Sequence, residues 1–151
     1  MNTQIDNMQK YANYKEQVGR LKKAIYYKFY LEAIFIEYAI IEDRFESILK
    51  HSDKFNPKKH NTLNAKISKV REMQREKKGL IRKYITEEML DIVSEWKEER
   101  NCLIHALMKQ SLHTEDLEKV ALKGQELAKL ISNKGKSYNN ALNRKREKQE
   151  A

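Results

Sequence analysis

Three side chains on one stretch of the chain, Arg100, Asn101 and His105, have types and spacing that suit chemistry on a phosphate group. Histidine titrates near neutral pH, so its imidazole can act as a general base or as a general acid. Arginine presents a fixed planar set of N–H donors that match phosphate oxygens. On a helix, Asn101 and His105 are neighbours on one face, whereas Arg100 and His105 differ by about 140° around the axis. These residues are therefore candidates for proton transfer and anion binding.

Arg100 also interrupts the apolar pattern of its own segment. Apolar residues recur at the helical period there, and the gap between Trp96 and Leu103 places Arg100 where the next core residue belongs. A buried arginine needs a partner, because removing its charge from water is unfavourable. Glu42, within an apolar arc of an earlier segment, is the candidate partner. Spacing alone leaves two interpretations open, a structural ion pair with an inert histidine or a reactive site.

The run E-R-N-C-L-I-H-A at 99–106 resembles the ribonuclease motif of the HEPN family, in which Arg, a polar residue that is often Asn, and His follow one another in this order. The run I-I-E-D-R-F at 40–45 also resembles the acidic segment on the second long helix of these domains. The resemblance implies metal-independent cleavage of single-stranded RNA, with no cofactor. It also implies a homodimer in which two copies of Arg100 and His105 surround one cleft.

The same resemblance implies a role for each residue. His105 transfers protons at the 2′-hydroxyl and the leaving 5′-oxygen, while Arg100 stabilises the charge of the phosphate. Asn101 orients His105 or binds the phosphate, and Glu42 holds Arg100 in position. The resemblance further implies a toxin or anti-phage defence effector, with an antitoxin or inhibitor protein as a further partner. The alternative is a non-catalytic HEPN-like module that binds RNA or a protein, with Arg100 in a structural ion pair.

The charge of the chain points to the same class of partner. The formal net charge is +9, and residues 58–83 hold ten Lys or Arg against two Glu, while residues 134–148 hold six against one. Positive charge concentrated in two segments favours a polyanion such as RNA. The predicted RNA-binding residues are Lys66, Lys69, Arg71, Arg75, Lys78, Arg144, Lys145 and Arg146.

The elements that must position these residues are helices. With 4 Gly and 1 Pro, the chain has few places for tight turns. The spacing predicts an antiparallel up-and-down bundle of four to five helices, and one of them, apolar on two sides, is either central or used in self-association. The predicted helices cover roughly 3–18, 20–52, 57–78, 87–110 and from 114 onward. Gly19 is expected to break or bend the end of the first, Asn56 and Pro57 to start the third, and Thr86 and Thr114 to start the last two. Residues 1–133 are expected to form the bundle, and 134–151 a basic helical extension or a disordered tail.

Several other classes are disfavoured by the sequence. The chain has one cysteine, Cys102, which excludes an intramolecular disulfide and a multi-cysteine zinc site. No apolar run approaches the ~18 residues of a membrane span, and Glu37 interrupts the most apolar stretch. The N-terminal residues lack the apolar centre of a signal peptide. We therefore expect a cytoplasmic protein without membrane contact.

Overall fold

Long segments without glycine or proline favour helices, and the structure consists of them. The computed structural model describes residues 6–76 and 79–150, which form six α-helices and no strand. The helices are α1 (Asn7–Tyr26), α2 (Tyr30–His51), α3 (Leu63–Gln74), α4 (Ile81–Tyr84), α5 (Glu87–Ala106) and α6 (Thr114–Glu150). The predicted all-α bundle is confirmed, with the single turn of α4 added to five longer helices.

α2 lies at the centre of the bundle because it is apolar on more than one side. Ile34 and Ile41 are buried on the main apolar stripe, and Ile36 and Ile40, which fall away from that stripe, are buried as well. Its most extensive contacts are with α6 and α1. Of the two predicted uses of a helix that is apolar on two sides, the structure shows the central position.

α2 and α6 run parallel to each other. Gly124 of α6 lies against Glu37, and Gly135 lies against Ile48, so residue numbers rise together along the two helices. A purely antiparallel arrangement was predicted. The difference arises because loop length constrains the direction only of helices that follow each other in sequence, and α2 and α6 do not.

α1 continues past Gly19, where the sequence predicted its end. Glycine inside a helix is tolerated at about 1 kcal/mol relative to alanine, and the buried Ala24 on the next turn packs the helix into the core. The chain leaves α1 at Lys28, whose φ of 61° lets the amide of Phe29 donate to the carbonyl of Ala24 at 2.8 Å. Residues 20–26 therefore belong to α1 and not to the second helix.

α3 begins later than predicted. Asn56 and Pro57 do not start a helix. The side-chain oxygen of Asn56 instead accepts from the amides of Lys58 and Lys59 at 3.0 and 3.3 Å, which forms a turn. Thr62 is the N-cap of α3 and accepts from the amide of Ala65 at 3.1 Å. The basic segment 58–83 is therefore divided among a loop, α3 and α4.

The two helices after α4 begin as predicted. The Thr86 side chain accepts from the amide of Met89 at 3.2 Å, which caps α5. α5 ends at Ala106, four residues before its predicted end. α6 begins at Thr114 and runs as one helix to Glu150, so the predicted boundary at 133/134 lies inside it. Of the two predicted states of the C-terminal segment, the structure shows the helical extension.

The C-terminal part of α6 is attached to the bundle by buried side chains. Tyr138 and Ala141 are buried, and the Tyr138 hydroxyl lies 2.6 Å from the hydroxyl of Ser52 at the end of α2. Gly135 brings the backbone of α6 close to Ile48. Because these contacts lie beyond residue 133, the bundle extends into the segment that the sequence assigned to a separate tail.

Candidate active site

Arg100 is positioned by the tryptophan one turn before it on α5. Trp96 is fully buried, and its indole N–H donates to the carbonyl oxygen of Val120 at 2.9 Å, which fixes α5 against α6. A tryptophan whose N–H is satisfied combines a large buried area with a defined orientation. Arg100 lies four residues later on the same face and is half-buried where α5 meets α2.

The guanidinium of Arg100 packs on Tyr38 of α2. Its central carbon lies 4.2 Å from the centre of the Tyr38 ring, within the range of a cation–π contact. One terminal nitrogen donates to the side-chain oxygen of Asn101 at 3.0 Å. Within the described residues the Nε atom is buried without a hydrogen-bond partner. An aromatic face and a neighbouring amide, rather than a carboxylate, therefore determine the position of Arg100.

Glu42 does not pair with Arg100 as predicted. Its carboxylate accepts from the ammonium of Lys66 on α3 at 3.0 Å, and within residues 6–76 and 79–150 no ion pair joins it to Arg100. The charge of Glu42 still reaches Tyr38. Burial raises the pKa of Tyr38 above its usual value, Glu42 raises it further, and Arg100 acts in the opposite direction.

Lys66 is buried, although it was one of the residues predicted to bind RNA. Only 3% of the residue is exposed, and its ammonium contacts Glu42 and also Glu46, at 3.6 Å. A buried ammonium needs such neutralisation, because its separation from water is otherwise strongly unfavourable. Lys66 is therefore a structural residue that joins α3 to α2, and its charge is not presented to a nucleic acid.

A hollow of about 410 Å³ lies beside Arg100, between α2, α3 and α5. The residues that line it are Phe35, Tyr38, Ala39, Glu42, Asp43, Glu46, Lys66 and Arg100. Carboxylates outnumber cations in this lining, although the nearby Arg44 pairs with Asp43 at 2.6 Å. The lining of this hollow in a single chain therefore carries more negative than positive charge, which disfavours binding of a polyanion.

His105 is exposed on the last turn of α5, while Asn101 is half-buried one turn earlier. In the part of the chain that the structure describes, no hydrogen bond joins His105 to Arg100 or Asn101. The Asn101 oxygen is used instead by Arg100. The structure thus brings Arg100 and Asn101 together and leaves His105 facing solvent.

Four exposed apolar side chains lie in the hollow beside Arg100 or within three residues of His105 in the sequence. Phe35, 69% exposed, lines the same hollow as Arg100, and Met108, 92% exposed, follows the end of α5. Ile104, one residue before His105 on α5, and Leu107, the residue that follows the end of α5, are exposed as well. We call these four residues the apolar rim. Apolar side chains grouped at a surface are typical of protein–protein contacts.

The other predicted RNA-binding residues that the structure describes lie on other surfaces. Lys69 pairs with Glu72 at 3.1 Å, and Arg71 pairs with Asp91 at 2.7 Å. Arg75, Arg144 and Lys145 are exposed, and Lys78 lies outside the described residues. Arg146 pairs with Asp53 at 3.1 Å, which places the end of α6 beside the end of α2. These cations are not gathered around Arg100.

The buried acid Glu37 was not recognised from the sequence, which indicated only a charge that interrupts an apolar stretch. Glu37 is fully buried between α2, α5 and α6, and among the described residues neither carboxylate oxygen has a hydrogen-bond partner. Burial raises its pKa to about 9. Glu37 is therefore protonated at neutral pH. The available signal was its position one residue before Tyr38 in a helix that is apolar on two sides.

Within the described residues no group of three or more His, Cys, Asp or Glu side chains is arranged to hold a metal ion. None of the described helices combines the length and the apolar character needed to cross a membrane. The chain matches no family model, no curated protein and no solved structure.

Proposed function

We propose that this protein is a metal-independent endoribonuclease of the HEPN type that cleaves single-stranded RNA at a site shared by the two chains of a homodimer. One observation carries the proposal. A half-buried arginine with unused donor capacity occupies a core position on α5, and a solvent-facing histidine lies on the next turn of the same helix. A purely structural arginine at this position requires neither Asn101 nor His105.

The proposed reaction uses the 2′-hydroxyl of RNA as its nucleophile. One His105 removes the proton from this hydroxyl, the 2′-oxygen attacks the adjacent phosphorus, and the bond to the 5′-oxygen breaks. A second His105 donates a proton to that oxygen, so the products are a 2′,3′-cyclic phosphate and a 5′-hydroxyl. Arg100 binds the phosphate oxygens while charge develops on them.

The dimer is part of the proposal because one chain lacks the required groups. The proposed reaction uses a base and an acid, whereas one chain contributes one His105 to the site. A two-fold axis at the apolar rim brings a second His105 and a second Arg100 to the same cleft. The added Arg100 of the second chain also offsets part of the acidic lining of the hollow, and the contact removes Phe35 and Met108 from water.

The direct test is cleavage of a labelled single-stranded RNA by purified protein in the presence of a chelator. We expect His105→Ala and Arg100→Ala each to lower the rate by about 100-fold or more, since a positioned acid–base group and a donor that stabilises developing charge each contribute about that much. His113→Ala is the matched control, because His113 is also exposed and lies eight residues away. Equal cleavage by His105→Ala and the unchanged protein contradicts the mechanism.

The dimer is tested separately by a charge placed in the apolar rim. Phe35→Glu is expected to give a folded monomer in sedimentation experiments and to abolish cleavage, while Glu32→Gln, an exposed change one turn earlier on α2, leaves both unchanged. A monomer that still cleaves RNA at the full rate contradicts a shared site.

The biological part of the proposal is a cytoplasmic toxin or anti-phage effector restrained by an antitoxin or inhibitor protein. Expression in a bacterial host is then expected to arrest growth, and His105→Ala is expected to relieve the arrest. Equal toxicity of the two proteins contradicts toxicity through RNA cleavage.

A second candidate is a non-catalytic HEPN-like module that binds RNA or a protein. It is favoured by the contacts of Arg100, which are made within its own chain, and by the carboxylates of the adjacent hollow. In this case the protein binds single-stranded RNA without cleaving it, and His105→Ala changes neither property. Binding and cleavage assays on the same preparation distinguish the two functions.

A further inference from the structure

A second hollow, of about 340 Å³, lies at the C-terminal end of α2, beside the loop that leads to α3. The residues that line it are Asp53, Lys54, Phe55, Asn56, Lys59, His60 and Lys69. Tyr38, which contacts Arg100, and His51, the last residue of α2, are separated by about 20 Å along the helix axis. This basic hollow is therefore distinct from the hollow beside Arg100.

The basic hollow combines ammonium groups from separate parts of the chain. Lys54 and Lys59 come from the loop, and Lys69 comes from the middle of α3. Lys54 is 3.9 Å from Glu76, a distance at the limit of an ion pair, and Lys69 pairs with Glu72 at 3.1 Å, but Lys59 has no ion pair within the described residues. The single carboxylate in the lining, Asp53, is engaged by Arg146. Positive charge in this lining is thus only partly neutralised.

A histidine adds a directional donor to these charges. The Nδ1 atom of His60 accepts from the backbone amide of Asn56 at 2.9 Å. When the imidazole is neutral, its proton must then lie on Nε2, which becomes a donor. The turn around Asn56, held by the amides of Lys58 and Lys59, keeps the ring and its neighbouring lysine in one compact loop.

The end of α6 brings one further cation, Arg146, to the edge of the basic hollow. The contact between Tyr138 and Ser52 fixes α6 against the end of α2, and the ion pair between Arg146 and Asp53 lies at the edge of the basic hollow. Arg144 and Lys145, on the same turn of α6, are exposed. Two basic segments that are far apart in the sequence therefore meet at one end of the bundle.

We propose that the basic hollow, formed by Lys54, Lys59, Lys69 and His60, is a second phosphate-binding site that holds the backbone of an RNA strand outside the cleavage site. The proposal rests on the proposed function only for the identity of the polyanion as RNA. Lysines and an imidazole N–H contact phosphate oxygens without reading bases, so binding at this site is independent of sequence. Phe55, half-buried beside His60 at a ring distance of 6.2 Å, forms an apolar wall of the site.

The test measures binding of a 20-nucleotide single-stranded RNA by fluorescence anisotropy, in a His105→Ala background so that the RNA remains intact. Lys59→Gln and Lys54→Gln are each expected to weaken binding about 3- to 10-fold and to reduce the slope of log K against log salt by about 0.7. Lys58→Gln is the matched control, because Lys58 lies in the same loop and is exposed but does not line the hollow. It is expected to change affinity by less than twofold.

The outcomes separate this proposal from the proposed nuclease. Loss of binding in Lys59→Gln but not in Lys58→Gln supports the site, whether or not the unmutated protein cleaves RNA. Equal losses in both variants, or no loss in either, overturn it in favour of diffuse attraction or of binding elsewhere. Inorganic tripolyphosphate serves as a competitor. Displacement of RNA only at millimolar concentrations supports a strand backbone, and displacement at concentrations below that of the RNA overturns it in favour of a small polyphosphate.

Discussion

The guanidinium of Arg100 lies 4.2 Å from the centre of the Tyr38 ring, so a helix that carries the candidate motif is joined to the central helix of the bundle by a cation–π contact. Such contacts are strongest where water is displaced from one face of the cation. The contact orients Arg100, and among the residues that the structure describes no carboxylate pairs with its fork of donors. An arginine in this state retains its affinity for an external phosphate, which an arginine in a tight ion pair does not.

The Tyr38 contact gives a first prediction. Tyr38→Leu is expected to lower the free energy of unfolding by about 1 kcal/mol beyond the loss of packing and to lower RNA cleavage at least tenfold, because Arg100 loses its support. Tyr38→Phe retains an aromatic face and is expected to remain within twofold in rate. A double-mutant cycle with Arg100→Ala, read out by urea unfolding, measures the coupling, and a coupling free energy near zero contradicts the contact.

The buried acid Glu37 gives a second prediction, on pH. Its pKa is raised from 4.5 to about 9, so the folded protein binds a proton that the unfolded chain releases above pH 4.5. The contribution of Glu37 to stability is therefore greatest below pH 4.5 and falls as the pH rises towards 9, by about 3 kcal/mol between pH 4.5 and pH 7. Glu37→Gln removes this dependence and is expected to become more stable than the unchanged protein as pH rises.

Urea unfolding at pH 5, 7 and 8.5 measures the difference between Glu37→Gln and the unchanged protein. Glu32→Gln, an exposed substitution on the same helix, is the control and is expected to show a small, constant difference. If the two variants show the same dependence on pH, Glu37 is ionised in the folded protein and its assigned environment is wrong.

Alanine substitutions at two glycines give a third prediction, because they are expected to change the stability of the fold in opposite directions. A Cβ at Gly124 would overlap the Glu37 carboxylate and lie 2.7 Å from the Trp96 ring, so Gly124→Ala is expected to destabilise the fold by about 1–3 kcal/mol. Gly19 has no atom within 4 Å of the added Cβ, so Gly19→Ala is expected to stabilise α1 by about 0.5–1 kcal/mol. Thermal unfolding of both variants is the measurement, and a stabilising Gly124→Ala would show that α6 is not packed this closely.

The C-terminal helix gives a fourth prediction. A chain that ends at Asn133 lacks the buried Tyr138 and Ala141 and is expected to lose about 3 kcal/mol or more of stability, or to fail to fold. A chain that ends at Asn143 keeps both residues and loses the last turns of α6, which include the Arg146–Asp53 ion pair. We expect this truncation to lower the free energy of unfolding by about 1 kcal/mol or less. Unfolding midpoints of the two truncated chains test the prediction, which fails if both remain as stable as the full chain.

The predictable part of the fold depends on short-range rules. Thr86 caps α5 because a threonine followed by two acidic residues before an apolar helix satisfies free amides of the first turn, which involves only residues within one turn. The same rule was applied to Asn56 and Pro57, where it was wrong. The Asn56 side chain accepts from two loop amides and so forms a turn. α3 begins instead after Thr62, whose side chain caps it.

The candidate site was predictable in its positions but not in its contacts. The gap in the apolar period identified Arg100 as a polar residue at a core position, and the structure has it half-buried there. The partner could not be predicted, because Glu42 and Tyr38 occupy the same face of α2 and differ by one turn. A small change in the register of two helices selects between them. Lys66, on α3, forms an ion pair with Glu42, and Arg100 packs on Tyr38 instead.

By itself, the sequence determined the helical class, the two apolar sides of α2 and the position of the R-N-C-L-I-H run on the penultimate long helix. These properties follow from hydrophobic period and capping, which act between residues a few positions apart. Only the tertiary structure decided the partners of Arg100, Glu42 and Lys66, the burial of Glu37 and the meeting of the two basic segments. Those features depend on how whole helices slide and rotate against one another, and packing of the complete core sets that arrangement.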